Sequence, residues 1–480
     1  MKDTYKQYLD NDPESPSSTF CALPWMHIST RPSGHMRVCC TANASAVQDK
    51  NSTNKTISEA GVLRRDDGKP ANLATTRLLD AWNNEYMKSV RRMMLKGERP
   101  ASCLKCFKEE DAGHRSKRQW ETSKWVNELG LEDVLSGTEE DGTIPPRVRY
   151  IDLRLGSKCN LACVMCSPHD SSKWVKEYKQ IWPTLENKRL KSNMEWEKES
   201  GKLAWSGGSY AWHKKNPEFW EDFYEQVPTL RQLYWAGGEA LIMNEHYEVL
   251  EKIIEMGHAK NIELRYNSNG IEWQPNLFDL WKEFKNVIMH FSIDDYGERN
   301  HYIRYPAPWK RVVKQLHKID DYPHGNLRLT TATCVTALNI FYLPEFITWK
   351  LEEDWKLLNK FPAGAGMIDL HLAYWPPQLN CKVLPDWFKK ETTLKYKDFG
   401  KWLKSNWKKC NGVDDLTWDE WKELPYGIKR LEGLVSFMND EDWSERLPET
   451  VEWCYTVSKK RDLDFNKIFP DLEWLEWYNK

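Results

Sequence analysis

The stretch Val148-Arg-Tyr-Ile-Asp-Leu-Arg-Leu155 runs through Gly156-Ser157-Lys158 into Cys159-Asn-Leu-Ala-Cys163-Val-Met-Cys166. In its first half Ile151, Leu153 and Leu155 alternate with polar residues, the period of a β-strand. Gly156 and Ser157 then open a loop, and that loop carries three cysteines at C-x3-C-x2-C spacing. Thiolates are soft ligands, and three on one short loop can hold three irons of a 4Fe-4S cube. The fourth iron is then left without a protein ligand, and an open position is where a metal centre does chemistry rather than structure. His169, three residues past Cys166, keeps a zinc site open on spacing alone.

Working outward, further strands follow in order. Residues 229–239, TLRQLYWAGGE, read as a short apolar strand ending in Gly237-Gly238-Glu239. Two glycines let a ligand approach the backbone closely, and a carboxylate at a strand end can accept from an ammonium group. Residues 262–270 (IELRYNSNG), 287–294 (VIMHFSID), 327–335 (LRLTTATCV) and 367–373 (MIDLHLA) read as four more strands. Between them, His246–His258 has apolar residues close to a helical stripe. Six alternations of strand and helix predict a parallel, barrel-like α/β fold with its site at the C-terminal ends of the strands. Ser268, Asn269, Ser292 and Asp294 all fall at such ends.

This ordered set resembles the radical S-adenosylmethionine (SAM) enzymes. The resemblance implies a partial (β/α)6 TIM-like barrel at residues 145–375, with Cys159, Cys163 and Cys166 as ligands of a SAM-binding 4Fe-4S cluster. SAM would chelate the open iron, and its reductive cleavage would yield a 5′-deoxyadenosyl radical that abstracts hydrogen from a substrate. Met165 would pack near the adenine; many members carry an aromatic residue there. Gly237, Gly238 and Glu239 resemble the GGE motif that binds the SAM amino group, with Ala240 where the family usually has Pro. Ser268 and Asn269 resemble its SNG turn facing SAM. Ser292 and Asp294 resemble a Ser-x-Asp that faces ribose or substrate, and Arg304 an arginine that pairs with the SAM carboxylate.

A second cysteine group lies upstream. Phe20-Cys-Ala-Leu-Pro-Trp-Met-His27 precedes Gly34 and Arg37-Val-Cys39-Cys40, and Cys103-Leu-Lys-Cys106 comes later. Cys21, Cys103, Cys106 and one of Cys39 and Cys40 make four ligands, the inventory of a structural zinc site as well as of a cluster. Cys39 is preferred because its neighbour can then face inward as packing. The phrasing resembles the SPASM/twitch extensions of radical SAM enzymes, here N-terminal (20–120) instead of following the barrel. With so few cysteines, the resemblance implies one auxiliary 4Fe-4S cluster and the smaller twitch version. Relatives of this architecture act mainly on peptides and proteins, and a flavodoxin or ferredoxin is the electron donor they imply. The competing function is a non-catalytic zinc or iron–sulfur interaction scaffold, which would not need the GGE, SNG and SID motifs.

Length and composition bound the rest. The chain has 480 residues, so about three domains are expected. Lys plus Arg (69) nearly balances Asp plus Glu (71), which argues against a broad nucleic-acid or anionic-membrane footprint. No apolar run is long enough for a transmembrane helix and residues 1–19 lack a signal-type core, so a cytoplasmic location is expected. In that reducing compartment the 12 cysteines favour metal or redox chemistry over disulfides. Cys334, Cys381, Cys410 and Cys454 are scattered singly and read as small apolar residues. The long connection 167–228 reads as an insertion that is either a lid or a solvated helical segment, and 385–480 as a helical Trp-rich extension capping the barrel. Amphipathic helices are predicted at 399–407 and 416–424.

Overall fold

The computed structural model describes residues 15–42, 61–111, 116–192, 194, 210–358, 368–411 and 423–478. Its strands are β1 (His27–Thr30), β2 (Met36–Arg37), β3 (Tyr150–Leu153), β4 (Gln232–Trp235), β5 (Glu263–Ser268), β6 (Asn286–Ser292), β7 (Leu327–Val335) and β8 (Asp369–Leu372). The longer helices are α1 (Glu85–Leu95), α2 (Leu104–Asp111), α3 (Lys117–Leu129), α4 (Trp174–Ile181), α5 (Pro217–Gln226) and α6 (Asn244–Glu255). They continue with α7 (Gly297–Ile303), α8 (Trp309–Asp320), α9 (Leu343–Glu352), α10 (Asp386–Asn411), α11 (Glu423–Asp440) and α12 (Leu447–Arg461). The six strands read from the sequence are all present, each within a few residues of its expected span. The helix read at 399–407 lies inside α10, whereas 416–422 falls outside the described residues. Strands β1 and β2 were not anticipated, because HIST carries a single aliphatic residue, Ile28, and β2 has only two residues, so no apolar alternation shows in either.

The chain divides into two compact units, and neither matches a block of consecutive residues. The first comprises Met1–Lys158, Gly208–Tyr266 and Gln274–Val287, and its strands run in the order β2-β1-β3-β4-β5. Apart from the antiparallel β1–β2 turn, these strands pair in parallel. Their register aligns like with like. Ile28, Ile151, Leu233 and Leu264 form one apolar row, all fully buried. On the alternate positions His27, Tyr150, Gln232 and Glu263 form a polar row, and Arg37, Ser29, Asp152, Tyr234 and Arg265 form another.

The polar face is not given to water. Every residue of β3 is buried, as expected of a parallel sheet covered on both sides. The α3 helix is part of the cover. It starts at a capping box between Ser116 and Gln119, which satisfies orphan donors of its first turn. Its Lys124 ammonium donates to the Gln232 side chain and lies 3.3 Å from Glu263, while the His27 ring stacks on Tyr150 with centroids 3.9 Å apart.

The second unit comprises Cys159–Gly207, Asn267–Trp273 and Ile288–Lys480. Here β6, β7 and β8 are adjacent, and β7 pairs with β8 in parallel from Ala332–Asp369 to Val335–Leu372. Helices α7 and α8 connect β6 to β7, and α9 lies in the connection from β7 to β8. Among the described residues no helix is long and apolar enough to cross a membrane.

Candidate functional site

The triad occupies the irregular loop that begins the second unit. Its backbone is held from several sides. The Ala162 and Val164 amides donate to the carbonyls of Tyr305 and Ile303. The Trp174 indole donates to the Cys163 carbonyl at 2.7 Å, and the Trp453 indole to the Val164 carbonyl at 3.3 Å. Arg461, at the end of α12, donates to the Ala162 carbonyl at 2.7 Å and pairs with Glu177 of α4 at 2.9 Å. Trp174, Trp453 and Arg461 are all buried. The C-terminal extension, read from the sequence as a cap, thus supplies two of the side chains that hold the cysteine loop. The sequence carries no local signal for this, since Arg461 stands 299 residues from its carbonyl partner.

Cys166 has both Cys163 and Cys159 as electrostatic neighbours. A hydrogen bond between the Cys163 and Cys166 thiols lowers the Cys163 pKa and raises that of Cys166 well above the ordinary thiol value, with burial adding to the rise. The Arg304 charge further favours a Cys163 thiolate. Met165 is half-buried between them in sequence. Asn269 donates to Asn160 inside the loop at 2.8 Å, which ties the SNG turn to the triad segment, and Ser268 caps that turn by accepting from the Gly270 amide.

Asp294 and Arg304 are brought together. Arg304 Nη2 donates to Asp294 Oδ1 at 2.9 Å, and Nε lies 2.7 Å from Oδ2, at ion-pair distance but off the hydrogen-bond angle. Asp294 Oδ1 also accepts the Cys334 amide at 2.7 Å, and the Asp294 carbonyl accepts from Asn339. The Cys334 thiol, pushed up to about 12 mainly by burial, has Asp294, Arg304 and Cys163 as electrostatic neighbours. Ser292 ends β6, half-buried.

Gly237, Gly238 and Glu239 belong to the first unit. Gly237 and Gly238 both have positive φ, 73° and 55°. A Cβ on Gly238 would fall 2.5 Å from the Lys158 carbonyl oxygen, so only glycine fits where the turn meets the Gly156–Lys158 segment. The Glu239 amide donates to that same carbonyl at 2.8 Å, and its carboxylate, 2% exposed, accepts the Leu241 amide at 3.2 Å. Lys158 is the residue before Cys159, so the GGE turn is bonded to the root of the triad loop.

The upstream cysteines come from separate elements. Cys21 precedes the turn Leu23–Trp25, Cys39 follows β2, Cys103 ends a 3-10 turn and Cys106 lies in α2. Buried Arg118 joins these pieces by donating to the Phe20 carbonyl at 2.6 Å and pairing with Glu110 of α2 at 2.6 Å. Burial pushes the Cys103 thiol up to about 12 and Cys106 to about 11, and in each the Cys39 charge adds to the rise. Cys21 is raised by burial and then by Cys103 and Cys39. Cys21, Cys39, Cys103 and Cys106 therefore form one electrostatic group. Cys40 acts on Cys39 but is not among the charges that raise Cys21, Cys103 or Cys106, and it is felt instead by Lys117, Arg37, Tyr150 and Tyr234. Its surroundings are polar, not the apolar packing expected for the residue beside a ligand.

In donor chemistry both groups fit an iron–sulfur centre, three thiols at one and four at the other. Among the described residues no three ligating side chains converge closely enough to hold a single ion. A depression of about 610 Å³ lined by Arg65, Asp67, Asp80, Asn84 and Lys88 contains neither group. Several of its charges are spent on ion pairs, Arg65–Asp67 at 2.9 Å and Lys88–Asp141 at 2.9 Å among them.

No protein-family model matches the chain, and no curated protein matches it. Solved structures with some likeness include native anSMEcpe with bound AdoMet, at 14% identity and a TM-score of 0.31 over 53% of this chain. SuiB from Streptococcus suis bound to S-adenosylmethionine has 10% identity and a TM-score of 0.26 over 56% of this chain. TYW1 with a lysine-pyruvate adduct bound has 13% identity and a TM-score of 0.23 over 54%. The matched region covers 59% of the first and 53% of the second, less than two thirds of either. Scores this low do not establish a shared fold.

Proposed function

We propose that the chain is a radical SAM enzyme with a partial TIM-like barrel, a SAM-binding 4Fe-4S cluster on Cys159, Cys163 and Cys166, and one auxiliary cluster on Cys21, Cys39, Cys103 and Cys106. The observation that carries the reading is the bond of the GGE turn to Lys158, 81 residues away in the chain and one residue before the first cysteine of the triad. A zinc scaffold has no use for a buried glutamate held there. When bound, the SAM-binding cluster supplies the electron that cleaves SAM to methionine and a 5′-deoxyadenosyl radical. The chain's own residues orient and shield. Glu239 accepts from the SAM ammonium. Arg304, fixed by Asp294, faces the SAM carboxylate; Ser268, Asn269 and Ser292 face its remaining polar groups, with Met165 against the adenine. The buried clamp of Trp174, Trp453 and Arg461 keeps the thiol loop in one conformation and away from water. The upstream thiols, closed by a fourth cysteine, conduct electrons or brace the substrate side. The substrate is a peptide or protein, and a flavodoxin or ferredoxin is the donor.

Changing Cys159, Cys163 and Cys166 together to Ala should abolish reductive formation of 5′-deoxyadenosine while leaving about four irons per chain, the content of one cube. Cleavage retained in this variant sinks the assignment, and zinc in place of the residual iron sinks the auxiliary cluster.

A further inference from the structure

The polar row Arg37–Ser29–Asp152–Tyr234–Arg265 is not needed for any step above, yet it crosses all five strands of the first unit. Arg154, two residues beyond Asp152, extends it. Its guanidinium meets Asp152 at two points, Nε–Oδ1 at 3.2 Å and Nη2–Oδ2 at 3.3 Å. Asp152 is fully buried and also accepts from Ser29 at 2.7 Å. Arg37 is bound differently. Its Nη1 donates to the Cys40 carbonyl at 3.0 Å and its Nη2 to the Ser29 hydroxyl at 3.4 Å, both neutral oxygens. Its Nε is buried without a hydrogen-bond partner, and the residue is 7% exposed.

The charge does not balance. Arg37, Lys117, Lys124, Arg154 and Arg265 face Asp152, Glu121, Glu263 and Glu128, five cations to four carboxylates among the described residues, and Glu128 also pairs with Lys285 at 3.6 Å. A purely structural network would be expected to close its charges, because an unmatched buried charge is costly. The buried row meets solvent at its edge, where the side chains of Arg154 and Lys117 are 21% and 26% exposed. It connects two places already described. Arg37 is bonded to Cys40 beside the auxiliary thiols, and the stem of Arg154 lies on the GGE turn, where a Cβ on Gly237 would come within 2.9 Å of its Cδ.

We propose that this row is a recognition site for a carboxylate of the substrate, with Arg37 as its principal donor and Arg154 and Lys117 supplying the field. A guanidinium offers parallel donors that match a carboxylate, as Arg154 already shows with Asp152. The proposal deepens the enzymatic reading and rests on it for the word substrate, but the binding itself requires neither SAM nor a reductant.

The test is calorimetric titration of the full, anaerobically purified protein with three small probes. N-acetylglycine stands for a chain-terminal carboxylate, N-acetylaspartic acid α-amide for an acidic side chain, and N-acetylglycinamide for the neutral control. A charge-assisted hydrogen bond contributes about 1.5–3 kcal/mol, so one of the acids should bind roughly 10- to 150-fold more tightly than the amide. Which acid binds identifies the source of the carboxylate. Arg37→Gln should remove the preference and Arg65→Gln should keep it. Should Arg37→Gln fail to fold, Arg37→Lys decides instead, since it keeps the charge and loses the fork, and most of the preference should go. Equal binding of acids and amide, or a preference that survives both Arg37 variants, would overturn the proposal. A negative result with 5′-deoxyadenosine still produced removes only this site; carboxylate binding without SAM cleavage removes only the enzymatic reading.

Discussion

The two thiol groups hold similar donors by opposite means. The triad lies on one eight-residue run, Cys159–Cys166, so its composition is local while its rigidity is borrowed from α4, α7 and α12. The upstream group has no common run at all. Cys21, Cys39 and the Cys103–Cys106 pair belong to three segments, which Arg118, the Ala22–Thr122 bond and the β1–β2 turn help to gather. A short motif thus needs tertiary structure for stiffness, and a dispersed one needs it for existence.

The largest effect expected from that difference follows removal of the triad's clamp. Arg461 is buried and its partner Glu177 half-buried, with side chains 1% and 16% exposed, so stripping the arginine costs at most about 3–5 kcal/mol, the range for a buried pair. Arg461→Ala should lower the thermal midpoint steeply and raise amide exchange in residues 159–166. A fall in stability with the loop still protected would show that α12 is a remote brace and not a clamp.

The two units should also differ in pH response. Burial lowers His27 of the first unit to about 4. Between about pH 4 and 6.5 its unfolded form binds more protons than the folded one, so stability rises with pH there, by up to about 3 kcal/mol. Burial raises Asp295 of the second unit to about 7, against the pull of Arg299. Its folded form holds the proton longer, so its contribution falls from about pH 4 to about 7. Exchange measured unit by unit should show opposite slopes, flattened by His27→Gln in the first and by Asp295→Asn in the second. Parallel slopes in both variants would remove the distinction.

Smaller in free energy is Glu239→Ala. Loss of one charge-assisted hydrogen bond, about 1.5–3 kcal/mol, should weaken SAM binding roughly 10- to 150-fold in equilibrium dialysis. An unchanged affinity would leave Glu239 as the cap of its own turn, the role its bond to Leu241 already fills.

The smallest effect separates neighbours. In the triad-free background, Cys39→Ala should release the remaining iron and Cys40→Ala should leave it unchanged, because Cys39 shares its surroundings with Cys21, Cys103 and Cys106. The reverse result would move the ligand by one residue.

What the sequence determined by itself was periodic or contiguous. Six strands were legible because alternation over four to nine residues is a local property, and the triad because its ligands share one loop. The GGE turn was legible as residues, and its positive φ values explain why glycine stands there. Tertiary structure alone decided the rest. The strand register lined up Arg37, Ser29, Asp152, Tyr234 and Arg265 from five segments, and no window of sequence contains that row. Nor could any window show that the polar face of β3 is buried under α3, or that Arg461 closes on Ala162. Hydrogen bonds and charges act through space over a few ångströms, whereas sequence patterns report only the neighbours that the backbone itself supplies.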